Sequence, residues 1–254
     1  MGEAYIVDAV RTPVGRRGGG LSEEHPADLG AHVIQGLVER TGIDPSAVDD
    51  VIMGCLDNMG PQAGDIARTA WLAAGMPESI PGVTVDRQCG SGQQAVSFAA
   101  MGVMSGVQDM VVAGGIQNMS LIPIGSAMDV MGHEAIGHPE IEDPYTTSKG
   151  WIERYGTQEV SQFRGAELIA KKWNLSRQQL EEFALESHER AAKAQDEGRF
   201  DKEILPYGEI TQDEGVRRGT TLEKMAQLST LEEGGVITAA VASQISDGAV
   251  ALLI

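Results

Sequence analysis

The chain has 254 residues, 42% of them hydrophobic and 4% aromatic, with 32 glycines, so a real core is possible but must pack through Val, Ile, Leu, Ala and Met rather than rings. Lys and Arg number 19 against 37 Asp and Glu, a formal charge of −18, which repels phosphate backbones and argues against nucleic acid as a partner. Two cysteines, no zinc spacing, no basic leader and no apolar run near the ~20 residues of a membrane helix argue against a disulfide framework, a metal site and a membrane, and point to the cytoplasm.

Residues 4–10 are predicted as a buried strand, followed by a Gly/Arg-rich loop at Arg11–Gly20. Pro26 opens a helical pattern through Leu29, Val33, Ile34, Leu37 and Val38 that ends at Gly42. Val48–Cys55 reads as a second strand, and Asp65–Ala74 as a helix closed by Gly75. Val83–Val85 is a short third strand, Ser91–Ser105 a helix of small residues, and Asp109–Ala113 a fourth strand. Strands alternating with helices imply a βαβ-type sheet covered on both faces. The rhythm stops over residues 120–160, an expected irregular insertion. Gln158–Trp173 and, after the Ser176 cap, Arg177–Glu197 read as helices of a peripheral subdomain, because their apolar positions are sparse. Strand-like segments return at Ile204–Pro206, Val236–Ala240 and Ala249–Ile254. The last one runs to the end of the chain with no polar tail, which is expected of a fragment rather than a complete protein.

Chemistry concentrates at Cys89, in Thr84-Val85-Asp86-Arg87-Gln88-Cys89-Gly90-Ser91-Gly92-Gln93-Gln94-Ala95. A thiol where a strand breaks into glycines and a helix begins meets unpaired N–H groups and the positive end of the dipole. Both favour the thiolate, which is the nucleophile. The small residues around it let a substrate carbonyl approach the backbone. Cys55, at the end of a predicted strand, reads as core packing. Gly15-Arg16-Arg17-Gly18-Gly19-Gly20 lacks Gly-Lys-Ser/Thr and no helix follows it directly, so it reads as a flexible surface loop rather than a phosphate loop. His25, His32 and His188 are expected to face solvent, as are the acidic Glu181, Glu182, Glu186 and Glu189.

Six separated segments, in order, resemble the N-terminal part of the thiolases: Ile6–Gly15, Val51–Gly54, Thr84–Ala95, Val111–Ser120, Thr220–Met225 and Thr238–Ala249. The Gln93-Gln94 version, with Asp86-Arg87 ahead of the cysteine, looks most like actinobacterial thiolases of lipid and steroid breakdown. The resemblance implies an α/β fold: a layered αβα domain with a mixed sheet, made by residues 1–120 and 204–254. An inserted, mainly helical loop domain would occupy 121–203, with 204–235 contributing to coenzyme A binding, and the family's C-terminal domain would be absent. The family's later Asn-Glu-Ala-Phe, Gly-His-Pro and Cys-x-Gly elements are not found in their proper context. Gly137-His138-Pro139 lies in the insertion and reads as surface loop.

By the same resemblance Cys89 is the nucleophile of acyl transfer, with its own N–H as an oxyanion donor, and the acid and base belong to the missing half. Arg217, beside Arg218, matches an arginine near the adenine and phosphates of coenzyme A, and Ser243 a serine near the pantetheine arm. Val241 stands where many thiolases have Asn, and Ser161-Gln162-Phe163 where many have His-Met-Gly. The expected ligands are acyl-CoA and coenzyme A as substrates with no tightly bound cofactor, in a homodimer or homotetramer. Two alternatives remain: a ketoacyl-synthase-like condensing enzyme, and a non-catalytic half-subunit that binds coenzyme A or a partner chain. Asn118-Met119-Ser120 and Thr238–Ala249 favour the thiolase reading.

Overall fold

A computed structural model describes residues 2–129, 144, 145 and 147–254. Chain contacts divide it into two compact units, Met1–Ala127 with Phe200–Gly215 and Ile245–Ile254, and Met128–Arg199 with Val216–Gln244. The expected division gave 204–254 to the α/β domain. Residues Val216–Gln244 instead group with the helical unit.

The first unit is built on one mixed sheet. Its strands are β1 (Asp8–Arg11), β2 (Gly15–Arg16), β3 (Asp50–Gly54), β4 (Gly82–Val85), β5 (Val111–Asn118) and β6 (Ser246–Leu253). They lie in the order β1-β6-β5-β3-β4, with β2 also on β6. β3 is parallel to both β4 and β5, while β6 runs antiparallel between β5 and β1. The expected first strand, 4–10, is shifted: Tyr5, Ile6 and Val7 are exposed, and the strand begins at Asp8 where pairing with Leu253 starts. β5 runs five residues past the expected end at Ala113, because Gly114 and Gly115 pair with β6 instead of ending the strand.

Alternate residues of each strand serve opposite faces. Val51, Met53, Val112 and Ile116 pack with helices α1 (Pro26–Thr41) and α2 (Ile66–Ala73) in the larger core. Ile52, Val111 and Ala113 pack with Ala95 and Ala99 of α3 (Ser91–Ser105). The result is three layers, α1/α2, sheet and α3. α1 has the ends its sequence implies: Pro26 in the first turn, the His25 ring accepting the Ala27 N–H, and Gly42 in the left-handed conformation at φ 67°. Away from the sheet α3 is also apolar, exposing Phe98, Met101 and Met104.

The second unit is helical. Helices cover Lys149–Tyr155, within the stretch expected to be irregular, then Gln162–Trp173, Arg177–Asp196 and Leu222–Ala226. Ser176 and Gln179 form a reciprocal capping box on the long helix. Two polar anchors hold Val216–Gln244 to these helices. Arg177 pairs with the buried Glu181 at 2.7 Å and donates to the carbonyls of Met225 and Leu228. The Glu167 carboxylate accepts the N–H groups of Val236 and Ile237 at 2.8 and 2.7 Å. That carboxylate replaces the neighbouring strand that Val236–Ala240 was expected to have, and among the described residues the segment makes only the isolated bridge Thr230–Thr238. Ile204–Pro206 likewise reduces to one bridge, Ile204 to Arg11. Among the described residues no helix is long and apolar enough to cross a membrane, and no group of three or more His, Cys, Asp or Glu is placed to hold a metal ion.

Candidate active site

Cys89 is exposed, at the carboxyl ends of the three parallel strands and two residues before α3. Ligand sites of α/β sheets favour that edge. Its seat depends on close backbone approach. A Cβ on Gly54, the last residue of β3, would lie 2.3 Å from the Gly92 nitrogen and 2.3 Å from the Ser91 carbonyl carbon. Glycine here lets the first turn of α3 rest directly on the sheet.

The start of α3 is left open. Its N-cap is Gly90, with no side-chain cap, and among the described residues the Cys89 N–H has no hydrogen-bond acceptor. Most helices fill this end with a Ser, Thr, Asp or Asn oxygen. Ser91 does not do so: its hydroxyl accepts the Arg87 N–H at 2.8 Å and donates to the Gln88 carbonyl. Gln88 itself has φ 50°, the left-handed region. The Arg87 guanidinium donates to the Gln94 side chain. These contacts to Ser91, Gln88 and Gln94 were not visible in the sequence, because each depends on how the loop folds back on the helix.

Cys55 follows β3 and is buried. Its thiol is pushed up to about 12, mainly by burial and further by the carboxylates of Asp86 and Asp57. The two cysteines are therefore chemically distinct. Iodoacetamide near neutral pH is expected to alkylate Cys89 and spare Cys55, checked by mass spectrometry of the two peptides; equal labelling of folded protein would contradict this.

Beneath the strand ends lies a buried polar network with no sequence motif. Gln62, fully buried, donates to the carbonyls of Leu56 and Asp57 and accepts the Asn118 N–H at 2.9 Å. Asn118 donates to the carbonyls of Leu21 and Glu24 and accepts the Leu121 N–H. Asp247 accepts both the N–H and the hydroxyl of Ser120. Every buried polar group here has partners, so the loops after β3 and β5 are held in place. The Gly15–Gly20 loop is held too: Glu214 accepts the N–H groups of Arg16 and Gly20. A carboxylate already occupies these donors, which corrects the flexible-loop expectation and argues further against phosphate.

Arg217 and Ser243 belong to the helical unit. Arg218 donates to Asp196 through Nη1 and Nη2 of its guanidinium. Arg217, by contrast, is exposed and its guanidinium has no partner among the described residues, while its backbone N–H donates to His188 Nδ1 at 3.2 Å. Ser243 is exposed and its hydroxyl caps no backbone group among the described residues. Gly137-His138-Pro139 lies outside the described residues.

Two histidines depart from the expectation of free solvation. His32 is half-buried, edge-on to Tyr207, and its buried Nε2 has no partner among the described residues. His188 is half-buried and held below its usual range, first by burial and then by the Arg217 charge. The folded chain thus takes up this proton at lower pH than the unfolded chain, whose histidine titrates near ~6.5. Between the two values the unfolded state binds more protons, so stability falls as pH drops below ~6.5 and levels off below the folded value. The fall in Tm between pH 7.5 and 6 is expected to shrink in His188→Asn; an identical fall in both proteins would count against this linkage.

Compared with known proteins, residues 4–254 match the family model described as the thiolase N-terminal domain. All of the chain aligns, at 59% identity, with a steroid 3-ketoacyl-CoA thiolase of Mycobacterium tuberculosis, covering 62% of that protein. It is 38% identical to a 3-oxoadipyl-CoA/3-oxo-5,6-dehydrosuberyl-CoA thiolase of Escherichia coli, covering 66% of it. It is 36% identical to a 3-ketoacyl-CoA thiolase of Pseudoalteromonas translucida, covering 64%. The chain thus spans less than two thirds of the length of these relatives.

Proposed function

The chain belongs to the thiolase family, and on that footing we propose that Cys89 accepts the acyl group of a 3-oxoacyl-CoA. The carrying observation is an exposed thiol at a helix start without a side-chain cap, beside its own N–H, which has no acceptor among the described residues. In the degradative direction the Cys89 thiolate attacks the ketone carbon. The bond between that carbon and the α carbon breaks, its electron pair leaves as the enolate of acetyl-CoA, and protonation of the enolate completes that product. The acyl group remains on sulfur as a thioester. Coenzyme A, as thiolate, then attacks the thioester, releasing the shortened acyl-CoA and the Cys89 thiolate. One unfavourable carbon–carbon exchange becomes two acyl transfers. The Cys89 N–H is suited to the oxyanion that forms at each attack.

A base must remove the Cys89 proton and an acid must protonate the enolate. The resemblance assigns both to the family's Gly-His-Pro and Cys-x-Gly segments. His25, His32 and His188 are not offered in their place, since they respectively cap α1, face Tyr207 and accept the Arg217 N–H. Arg217, its guanidinium unpaired among the described residues, is the proposed contact to the phosphates and adenine of coenzyme A, and Ser243 the contact to pantetheine. Coenzyme A thus comes and goes as substrate, with no cofactor held tightly. The 59% identical relative named for steroid substrates supports steroid or lipid breakdown. Cysteine usage supports the cytoplasm, and the exposed apolar side of α3 supports a homodimer or homotetramer.

The test is direct. Protein incubated with acetyl-CoA and quenched in acid should carry one acetyl group, mapped to the peptide containing Cys89. An acetyl group found only elsewhere, or none, would sink the proposal.

A further inference from the structure

We infer that Ser91 is a positioning residue for Cys89, acting by holding Gln88 in its left-handed conformation; this rests on Cys89 being the nucleophile proposed above. Glutamine, unlike glycine, adopts that conformation only at an energetic cost. The surrounding bonds show what maintains it. The Gln88 N–H donates to Asp86 Oδ1 at 2.9 Å. The Gln88 carbonyl accepts both the Ser91 hydroxyl and, at 3.0 Å, the Ser91 N–H. The same hydroxyl accepts the Arg87 N–H at 2.8 Å, and the Gly90 N–H donates to the Arg87 carbonyl at 3.1 Å.

Ser91 is buried, 4% exposed, although it sits beside the exposed residues Arg87, Gln88 and Cys89. Its hydroxyl joins the residues on the N-terminal side of Cys89 to the first turn of α3. A serine at the N-cap turns its oxygen to the helix amides, but here the N-cap is Gly90 and Ser91 is the first residue inside the helix. Its hydroxyl faces back into the loop, which has two effects. The Cys89 crest cannot flatten into an extended continuation of β4, and the Cys89 N–H and the helix start stay open to a substrate oxygen or the thiolate. The role belongs to the hydroxyl, so an alanine of nearly the same size would lose it.

The experiment is the rate of Cys89 carbamidomethylation in the 254-residue chain, with Cys55 as internal control because only unfolding exposes it. Ser91→Ala should react about tenfold more slowly than the parent at Cys89, the size expected from losing about one buried hydrogen bond. Ser91→Thr, which keeps the hydroxyl, should restore most of the rate. Gln88→Gly removes the conformational cost, so Ser91→Ala made in that background should slow the reaction less than about twofold. A parental or faster rate in Ser91→Ala, or an equal deficit in the Gln88→Gly background, would overturn the inference. If Ser91→Ala labels partly at Cys55, the Cys89 rate is taken from molecules whose Cys55 remains unlabelled; a slower rate there supports the inference, and a parental rate overturns it. The nucleophile reading is judged separately by the acetylation of Cys89, since alkylation reports on the thiol whether or not it transfers acyl groups.

Discussion

Cys89→Ala is expected to abolish acyl uptake from acetyl-CoA, while Cys55→Ala retains it. The two thiols follow adjacent parallel strands, β4 and β3, yet one is exposed and the other buried. Cys55 is buried, its Sγ close to the Leu56 carbonyl and Gln117 Oε1, and its thiol is pushed up to about 12. Almost none of it ionises at pH 7, and no substrate reaches it. Cys89 is exposed at a helix start with no side-chain cap. Loss of the nucleophile in covalent acyl transfer costs on the order of 10⁴-fold or more, because the acyl-enzyme cannot form by any other route. Cys55→Ala loses a small buried group and should lower stability by about 1–2 kcal/mol without removing the acyl adduct. Acid-quenched peptide maps of both variants check this. An acyl adduct that persists in Cys89→Ala would remove the basis for the proposed function.

The second large effect is structural. Gly54→Ala should destabilise the α/β unit by about 3 kcal/mol or more, at the upper end of overpacking. The added Cβ would sit 2.3 Å from the Gly92 nitrogen and the Ser91 carbonyl carbon. Both are backbone atoms of the first turn of α3, so no side chain can rotate away to relieve the contact. The helix must lift from the sheet, and Ser91 and Cys89 move with it. Urea unfolding should show a lower midpoint, and the surviving folded protein should react more slowly at Cys89. Gly64→Ala is a useful contrast: nothing lies within 4 Å of its Cβ position, although its φ of 68° adds strain. A Gly54→Ala protein with parental stability would contradict the close seating of α3.

The sequence announced elements wherever local chemistry decides them. Pro26 and Gly42 bracket α1, and Gly106 ends α3, because these helix ends obey rules that one chain segment carries alone. Strand limits were less legible. Gly114 and Gly115 resemble a break, but become continuous strand once β6 lies beside them. Tyr5–Val7 looks like strand by composition, yet that stretch is exposed. At the site, Cys89 was evident from its glycine-rich setting. Its supports were not: the left-handed Gln88, the inward Ser91 hydroxyl and the buried Gln62 all acquire their roles from groups brought near by folding. The resemblance pointed to Arg217 rather than its neighbour, and only folding pairs the Arg218 guanidinium with Asp196.

The place of β6 bears on how the α/β unit forms. It lies between β5 and β1, pairing Leu253 with both Val112 and Asp8, yet ribosomes synthesise it after every other strand of the sheet. Until it emerges, the nascent chain has β1 with no strand to join and β5 with one open edge. Contacts spanning nearly the whole sequence raise contact order and slow folding. The unit should therefore consolidate only once β6 has emerged, with the helical unit, translated before it, free to organise first.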